Sequence, residues 1–374
     1  MHQHLNTSIL PSSHENINAI VAGTGRCGST MLSNLLREHP AVLSLSEFFI
    51  FLHPSVFNED VLDAAQFWKV IGEPAPHLRL YLQQEAPLPE FLYLFKVPSS
   101  RFTGETGVPS ILLVTLPHLT NDYEAVYDEL REVVQGFPRD RIAGHLDRLI
   151  DWLKHRFGRR VCIERSGASL ALVSSLIRLF PRAKFVHLIR DGRACAWSMS
   201  RHFAFRFIVA MNIPVMQDGG GQAGEGAASA DQQPLAPQQI DFMHIVSGPI
   251  PLSAFGRYWS SLIISGVQAL SVLPEEQILT IRYEDIVAAP QPNLARLIDF
   301  IDPSLQNADW LARASTLVEH RPSGWEHLPA AEREAFERAC QPGQAVLDLI
   351  MQEGMHSPGL PALLQHGTNA PAEP

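Results

Sequence analysis

The sequence predicts an α/β fold, with a central, mostly parallel sheet covered by helices on both faces. Three observations carry this. A short apolar strand runs into a glycine-rich loop and then an amphipathic helix, short apolar strands alternate with helix-period segments, and 374 residues with 46% hydrophobic content suffice for a large core.

Asn16 to Gly23 reads as a buried strand, apolar and partly β-branched at Ile17, Ile20 and Val21. Met31, Leu32, Leu35 and Leu36 then recur at helical spacing until Pro40 stops the helix, and Ala41 to Leu45 forms a second strand ending at Ser46 and Glu47. From Phe48 to Arg160 the pattern is less regular: a strand is expected at Phe91 to Val97, an apolar run at Ile111 to Leu116, and helices near Asn121 to Gln135 and Asp140 to Phe157. Alternation then resumes, with strands at Val161 to Ile163 and Lys184 to Ile189, each followed by a helix (Ser169 to Phe180, Arg193 to Arg201). Gln217 to Gln239 is rich in Gly, Ala, Gln and Pro and reads as a disordered loop. A helix near Leu252 to Leu273, a strand at Ile278 to Ile281, a helix at Gln291 to Ile301 and a last amphipathic helix after Ala330 follow.

Charge narrows the partners. With 29 basic and 39 acidic residues the chain carries −10, so bulk attraction to nucleic acid or an anionic membrane is not expected, and an anionic ligand needs a local basic site. Arginine supplies that capacity, since only Lys69, Lys96, Lys154 and Lys184 are lysine. Cys27, Cys162, Cys195 and Cys340 form no CxxC pair, which argues against a zinc site or disulfide scaffold and suits a reducing compartment. No signal-like or membrane-spanning apolar run is visible, so a cytoplasmic location is expected.

The loop Gly23-Thr24-Gly25-Arg26-Cys27-Gly28-Ser29-Thr30 leads into a helix N-terminus, a combination that binds phosphate-like anions. It admits three readings. As a dinucleotide fingerprint it fits GxGxxG through Gly23, Gly25 and Gly28, with Glu47 near the position of a ribose-binding acid, which would make the chain an NAD(P)-dependent oxidoreductase. As a Walker A loop it fails, because Ser29 stands where lysine is required. In the third, Arg26 lies within the turn, and GTGRCGST resembles the first motif of the sulfotransferases that use 3′-phosphoadenosine 5′-phosphosulfate (PAPS), with Cys27 replacing a small hydroxyl residue.

A second block, KFVHLIRDGRACAWSMSRH from Lys184 to His202, resembles that family's 3′-phosphate motif. Arg190 and Ser198 match its phosphate-binding pair, and eight residues of strand end and helix allow both to reach one phosphate. ILTIRYED resembles the strand whose tyrosine, here Tyr283, lies near the adenine, and Arg321-Pro-Ser-Gly-Trp325 resembles a late loop closing over the nucleotide.

The resemblance implies a P-loop-like sulfotransferase fold, in the bacterial and tyrosylprotein branch, and in-line transfer of a sulfuryl group from PAPS to an acceptor hydroxyl, releasing 3′-phosphoadenosine 5′-phosphate (PAP), with no metal. Donor contacts would come from Gly25, Arg26, Cys27, Gly28, Ser29, Thr30, Arg190, Ser198, Tyr283 and Arg321, with Arg26 also stabilising the transferring group. Arg165, after the next strand, resembles the family's sulfonate-steadying cation, and Glu47 the general base of its carboxylate-using branches, which burial would make more basic. Other members use His; none of the chain's 16 His falls in a matching motif, and a His base stays open. A non-catalytic nucleotide-binding module on the same fold is the remaining alternative. The expected domain covers 17–354, between flexible tails at 1–16 and 355–374, with 48–160 a mostly helical acceptor-side insertion. The acceptor class stays open among small molecules, lipids, carrier-bound products and peptides. Phe48, Phe49 and Phe51 read as core, and Cys27 as a small filler.

Overall fold

The computed structural model describes residues 16–368 apart from 53, 59, 85–87, 98–99 and 218–241. Almost all of the low-complexity stretch 217–239, and both outer ends, lie outside the described residues.

The strands are β1 (Ala19–Ala22), β2 (Val42–Ser46), β3 (Val61–Leu62), β4 (Asp140–Arg141), β5 (Val161–Arg165), β6 (Lys184–Ile189) and β7 (Ile278–Arg282). Five of them form one sheet in the order β2-β5-β1-β6-β7, with every pairing parallel, as expected from the sequence. Nearly every residue of β1, β2, β5 and β6 is buried, because helices cover both faces. β3 and β4 make a small antiparallel ribbon apart from that sheet.

The first strand lies inside the sheet, with β5 on one side and β6 on the other. The chain runs outward from β1 to β2, returns through β5 and crosses to β6 and β7 on the other side, so the strand ends beside β1 flank a switch point of the kind where α/β proteins bind ligands. The loop after β1 and the turn after β6 meet there. The turn is fixed by Asp191, whose carboxylate accepts from Ala194 N at 2.9 Å and caps the helix Gly192–Ser200. Trp259, fully buried on the helix Leu252–Leu270, fills the space that Gly192 leaves open beneath the cap, where a Cβ would come within 2.3 Å of the indole.

Three expectations need correction, and one apolar run to which the sequence assigned no element acquires one. Phe91 to Val97 forms turns, not a strand: Leu92 N and Tyr93 N both donate to Leu113 O, and the segment pairs with no strand among the described residues. The apolar run Ile111 to Leu116 is helical, in Ser110–Leu113 and Thr115–Leu119. Arg165 is the last residue of β5 rather than a residue beyond it. The tail expected to be flexible from 355 instead carries the helix Leu360–Thr368, which buries Leu360 and Leu364. Phe48 and Phe49 are core, as read from the sequence.

Candidate active site

The glycine loop is built on left-handed backbone. Gly25, Arg26 and Gly28 have φ of 75°, 56° and 91°, a conformation costly for any residue with a Cβ. Gly28 is doubly constrained, since a Cβ there would lie 2.3 Å from Tyr283 Cδ2. No side chain caps the helix Ser29–Arg37 that follows, so its first N–H groups face the loop's concavity with their partial positive charge.

Around this loop the structure gathers residues from distant parts of the sequence. Arg26 Nε donates to Ser198 Oγ at 3.0 Å. Arg190, at the end of β6, donates to Arg26 O at 3.2 Å and to Arg321 O at 2.9 Å, and its guanidinium lies 4.5 Å from the centre of the Tyr283 ring. Tyr283 in turn donates to Glu319 O and accepts from Arg321 N, both at 3.1 Å, which ties the late loop to the site. Arg321 enters through its backbone, since its own side chain is largely exposed.

Arg190 is the informative residue. Both of its contacts are to carbonyls, and among the described residues no carboxylate pairs with it; the neighbouring Asp191 is taken by Arg193 at 2.5 Å. A positive charge without a counter-ion at a strand end suits a bound phosphate.

Glu47 and Arg165 form a second, buried cluster. Arg165 donates to the Glu47 carboxylate and, at 2.6 Å, to Ser46 Oγ, while the other Glu47 oxygen accepts from Gly167 N at 2.7 Å. Glu47 and Arg165 are 5% and 2% exposed, and Arg165 Nε has no partner among the described residues. β5 stands between β2 and β1, so Arg165, not Glu47, is nearer the glycine loop. The neighbouring Glu164 faces a dry environment: burial pushes its carboxyl up to about 8, against a hydrogen bond from Ser166 Oγ.

The remaining loop residues sort by burial. Cys27 is buried under Gly23, and burial raises its thiol above the ordinary value despite the helix N-terminus, so it packs as a neutral filler. Ser29 is buried and Thr30 exposed.

Sequence reasoning missed Glu90 and His202. His202 Nε2 and Glu90 Oε1 are 2.7 Å apart, and Arg26 Nη1 lies 3.5 Å from the same oxygen. Burial alone would raise Glu90, but the bond to His202, its charge and Arg26 together hold the carboxyl below its ordinary value. His202 closes the block already singled out, but had no task there; Glu90 lies in a segment without periodicity, so nothing local marked it.

An α/β protein with a left-handed glycine loop at the sheet's switch point, and beside it an arginine that pairs with no carboxylate among the described residues, is the class that fold and site define. The chain belongs to the sulfotransferase family, whose model matches residues 19–216, a span that contains both the loop and the Arg190–Ser198 block. Among curated proteins no sequence matches the chain. Solved structures similar to it include a sulfotransferase domain from the curacin biosynthetic pathway, at 13% identity over 89% of this chain and 98% of that one, with a TM-score of 0.45. A sulfotransferase domain from the Synechococcus PCC 7002 olefin synthase matches at 16% identity over 88% and 90%, with a TM-score of 0.42. Sulfotransferase STF9 from Mycobacterium avium matches at 16% identity over 91% and 77%, with a TM-score of 0.43.

The strand order also counts against the dinucleotide reading. In a dinucleotide-binding sheet the acid-bearing second strand lies directly beside the first. Here β5 intervenes, and the Glu47 carboxylate is committed to Arg165 and Gly167.

Proposed function

We propose that the chain moves a sulfuryl group from PAPS to an acceptor hydroxyl. One observation supports this most: Arg190, without a carboxylate partner, sits with Ser198 and the Gly25–Thr30 loop around one crevice. In this reading Arg190 and Ser198 hold the 3′-phosphate, the loop N–H groups and Arg26 hold the sulfonate and bridging oxygen, and the Tyr283-anchored late loop closes the nucleotide side. The acceptor oxygen attacks sulfur, the bond from sulfur to the bridging phosphate oxygen breaks, PAP leaves with that electron pair, and a base takes the acceptor proton. Positioning and charge stabilisation carry the rate, as in the analogous phosphoryl transfer. No step calls for a metal, and among the described residues no cluster suited to one occurs.

Glu47 is the base in this reading. Its carboxylate is held by Arg165 in the structure, so the reading requires Arg165 to turn toward the sulfonate when the donor binds, freeing a Glu47 oxygen. A second reading is favoured by His202: it is bonded to Glu90 and reaches the Arg26 neighbourhood, while its Nδ1 has no partner among the described residues. Glu47→Gln and His202→Gln separate the two: the base's variant loses at least about a hundredfold in kcat, the typical contribution of general-base catalysis, and the other does not.

The donor assignment is tested by thermal shift with PAP beside ATP, NAD and NADP. At about 100 times its Kd, PAP should stabilise the fold by about 2.7 kcal/mol, and only PAP should do so. A response confined to NAD or NADP would overturn the assignment.

A further inference from the structure

We propose that the open cavity of about 580 Å³ beside His202 is the acceptor site, and that it takes a hydroxylated acceptor with an apolar body and an anionic group of its own. The proposal rests on the donor reading above and names the substrate class of the same active site.

Position is the first argument. His202 lines the cavity, and its hydrogen bond to Glu90 runs on through that carboxylate to Arg26, which holds Ser198. The cavity is thus linked to the donor loop by a hydrogen-bonded chain of one imidazole and one carboxylate, and in this proposal the acceptor's hydroxyl reaches the transferring group along that side. The size lies within the range of small-molecule sites.

Chemistry is the second. Phe91, Phe95, Phe203 and Val246 make the walls apolar. The wall segment also leaves Leu92, Leu94 and Val97 exposed, at 41%, 62% and 42%, an apolar surface that water alone does not favour. A sugar or another wholly polar acceptor would gain nothing from such walls.

Charge is the third. Arg201 and Arg206 also line the cavity. All three Arg206 nitrogens donate to carbonyls, of Val246, Ser200 and Gly248, at 2.7 to 3.0 Å, which fixes the side chain without neutralising it. Arg201 lies 4.8 Å over the Trp197 ring, and among the described residues no carboxylate pairs with it. The nearby acid, Glu90, already serves His202 and Arg26. In a chain of net charge −10, this is a local positive field that a neutral acceptor would leave unused.

The test titrates the full chain, saturated with PAP, with 12-hydroxydodecanoate, 1-dodecanol and glucose by calorimetry, and repeats the series with Arg201→Gln and Phe95→Ser. PAP titration of each protein reports whether fold and donor site are intact. The hydroxy acid should bind at least about tenfold more tightly than the alcohol, in keeping with one charge-assisted contact, and glucose should not bind. Arg201→Gln should erase the preference for the acid, and Phe95→Ser should weaken both aliphatic probes. Equal affinity for acid and alcohol, with no effect of Arg201→Gln, would overturn the anionic class. Failure of both to bind while PAP still binds would overturn the acceptor site itself, and a wild-type chain that does not bind PAP would instead remove the donor reading beneath it.

Discussion

Arg190 and Arg165 are both strand-end arginines, yet their surroundings give them different work. Arg190 is held by carbonyls and a tyrosine face and, among the described residues, pairs with no carboxylate, whereas Arg165 is buried against Glu47. Removing one partner of a buried pair leaves the other charge stranded, so Glu47→Ala should destabilise the fold by about 3–5 kcal/mol in urea denaturation, while Glu47→Gln, which keeps a hydrogen-bond acceptor, should cost less. A Glu47→Ala chain as stable as the wild type would mean that the pair is not formed in solution. Arg26, Arg190, Ser198 and Tyr283, which the structure brings together, were singled out because each sits in a short motif that resembles one of the sulfotransferase family. Glu90 was not: its contact with His202 spans 112 positions, and no local pattern encodes such a meeting.

At the scale of elements, the two segments that carry the proposed donor contacts were readable because a strand, a glycine turn and a helix leave strong local signatures. β6 falls at Lys184–Ile189, as the sequence predicts, and its helix starts one residue early, at the Asp191 cap. The segment from Phe91 to Val97 was misread as a strand because an apolar, aromatic run looks alike whether it pairs in a sheet or lines a cavity. Two substitutions test the elements. Asp191→Ala should cost about 1 kcal/mol through loss of the helix cap, readable in the thermal midpoint. Gly28→Ala places a Cβ on left-handed backbone and into the Tyr283 ring, so it should abolish PAP binding and lower the midpoint further than the cap variant. Unchanged PAP affinity in Gly28→Ala would show that the loop does not hold the geometry described.

The whole molecule couples its sheet to its pH response. β2, β5, β1 and β6 pack so tightly that three titratable groups are held neutral within or beside them: Glu164 pushed up to about 8, and His187 and His118 pushed down to about 4 and about 3 by burial. A neutral buried histidine stabilises the fold above its unfolded pKa and loses that contribution as pH falls toward 4. For Glu164 the sign is opposite: the unfolded chain releases the proton near 4.5 and the folded chain near 8, so stability falls as pH rises through that window. Glu164→Gln should therefore gain thermal stability over the wild type progressively from pH 5 to pH 8, and a gap that does not change with pH would contradict the burial. Among the described residues no helix is long and apolar enough to cross a membrane.

In the proposed function Arg190 and Ser198 read a 3′-phosphate. The direct measurement is calorimetric affinity for PAP against adenosine 5′-phosphate, in the wild type and in Arg190→Ala. Loss of a charge-assisted contact of about 1.5–3 kcal/mol predicts that the wild type favours PAP by at least about tenfold and that Arg190→Ala removes the preference while still binding the 5′-phosphate. Equal affinity for the two nucleotides in the wild type, or an undiminished preference in Arg190→Ala, would contradict the account.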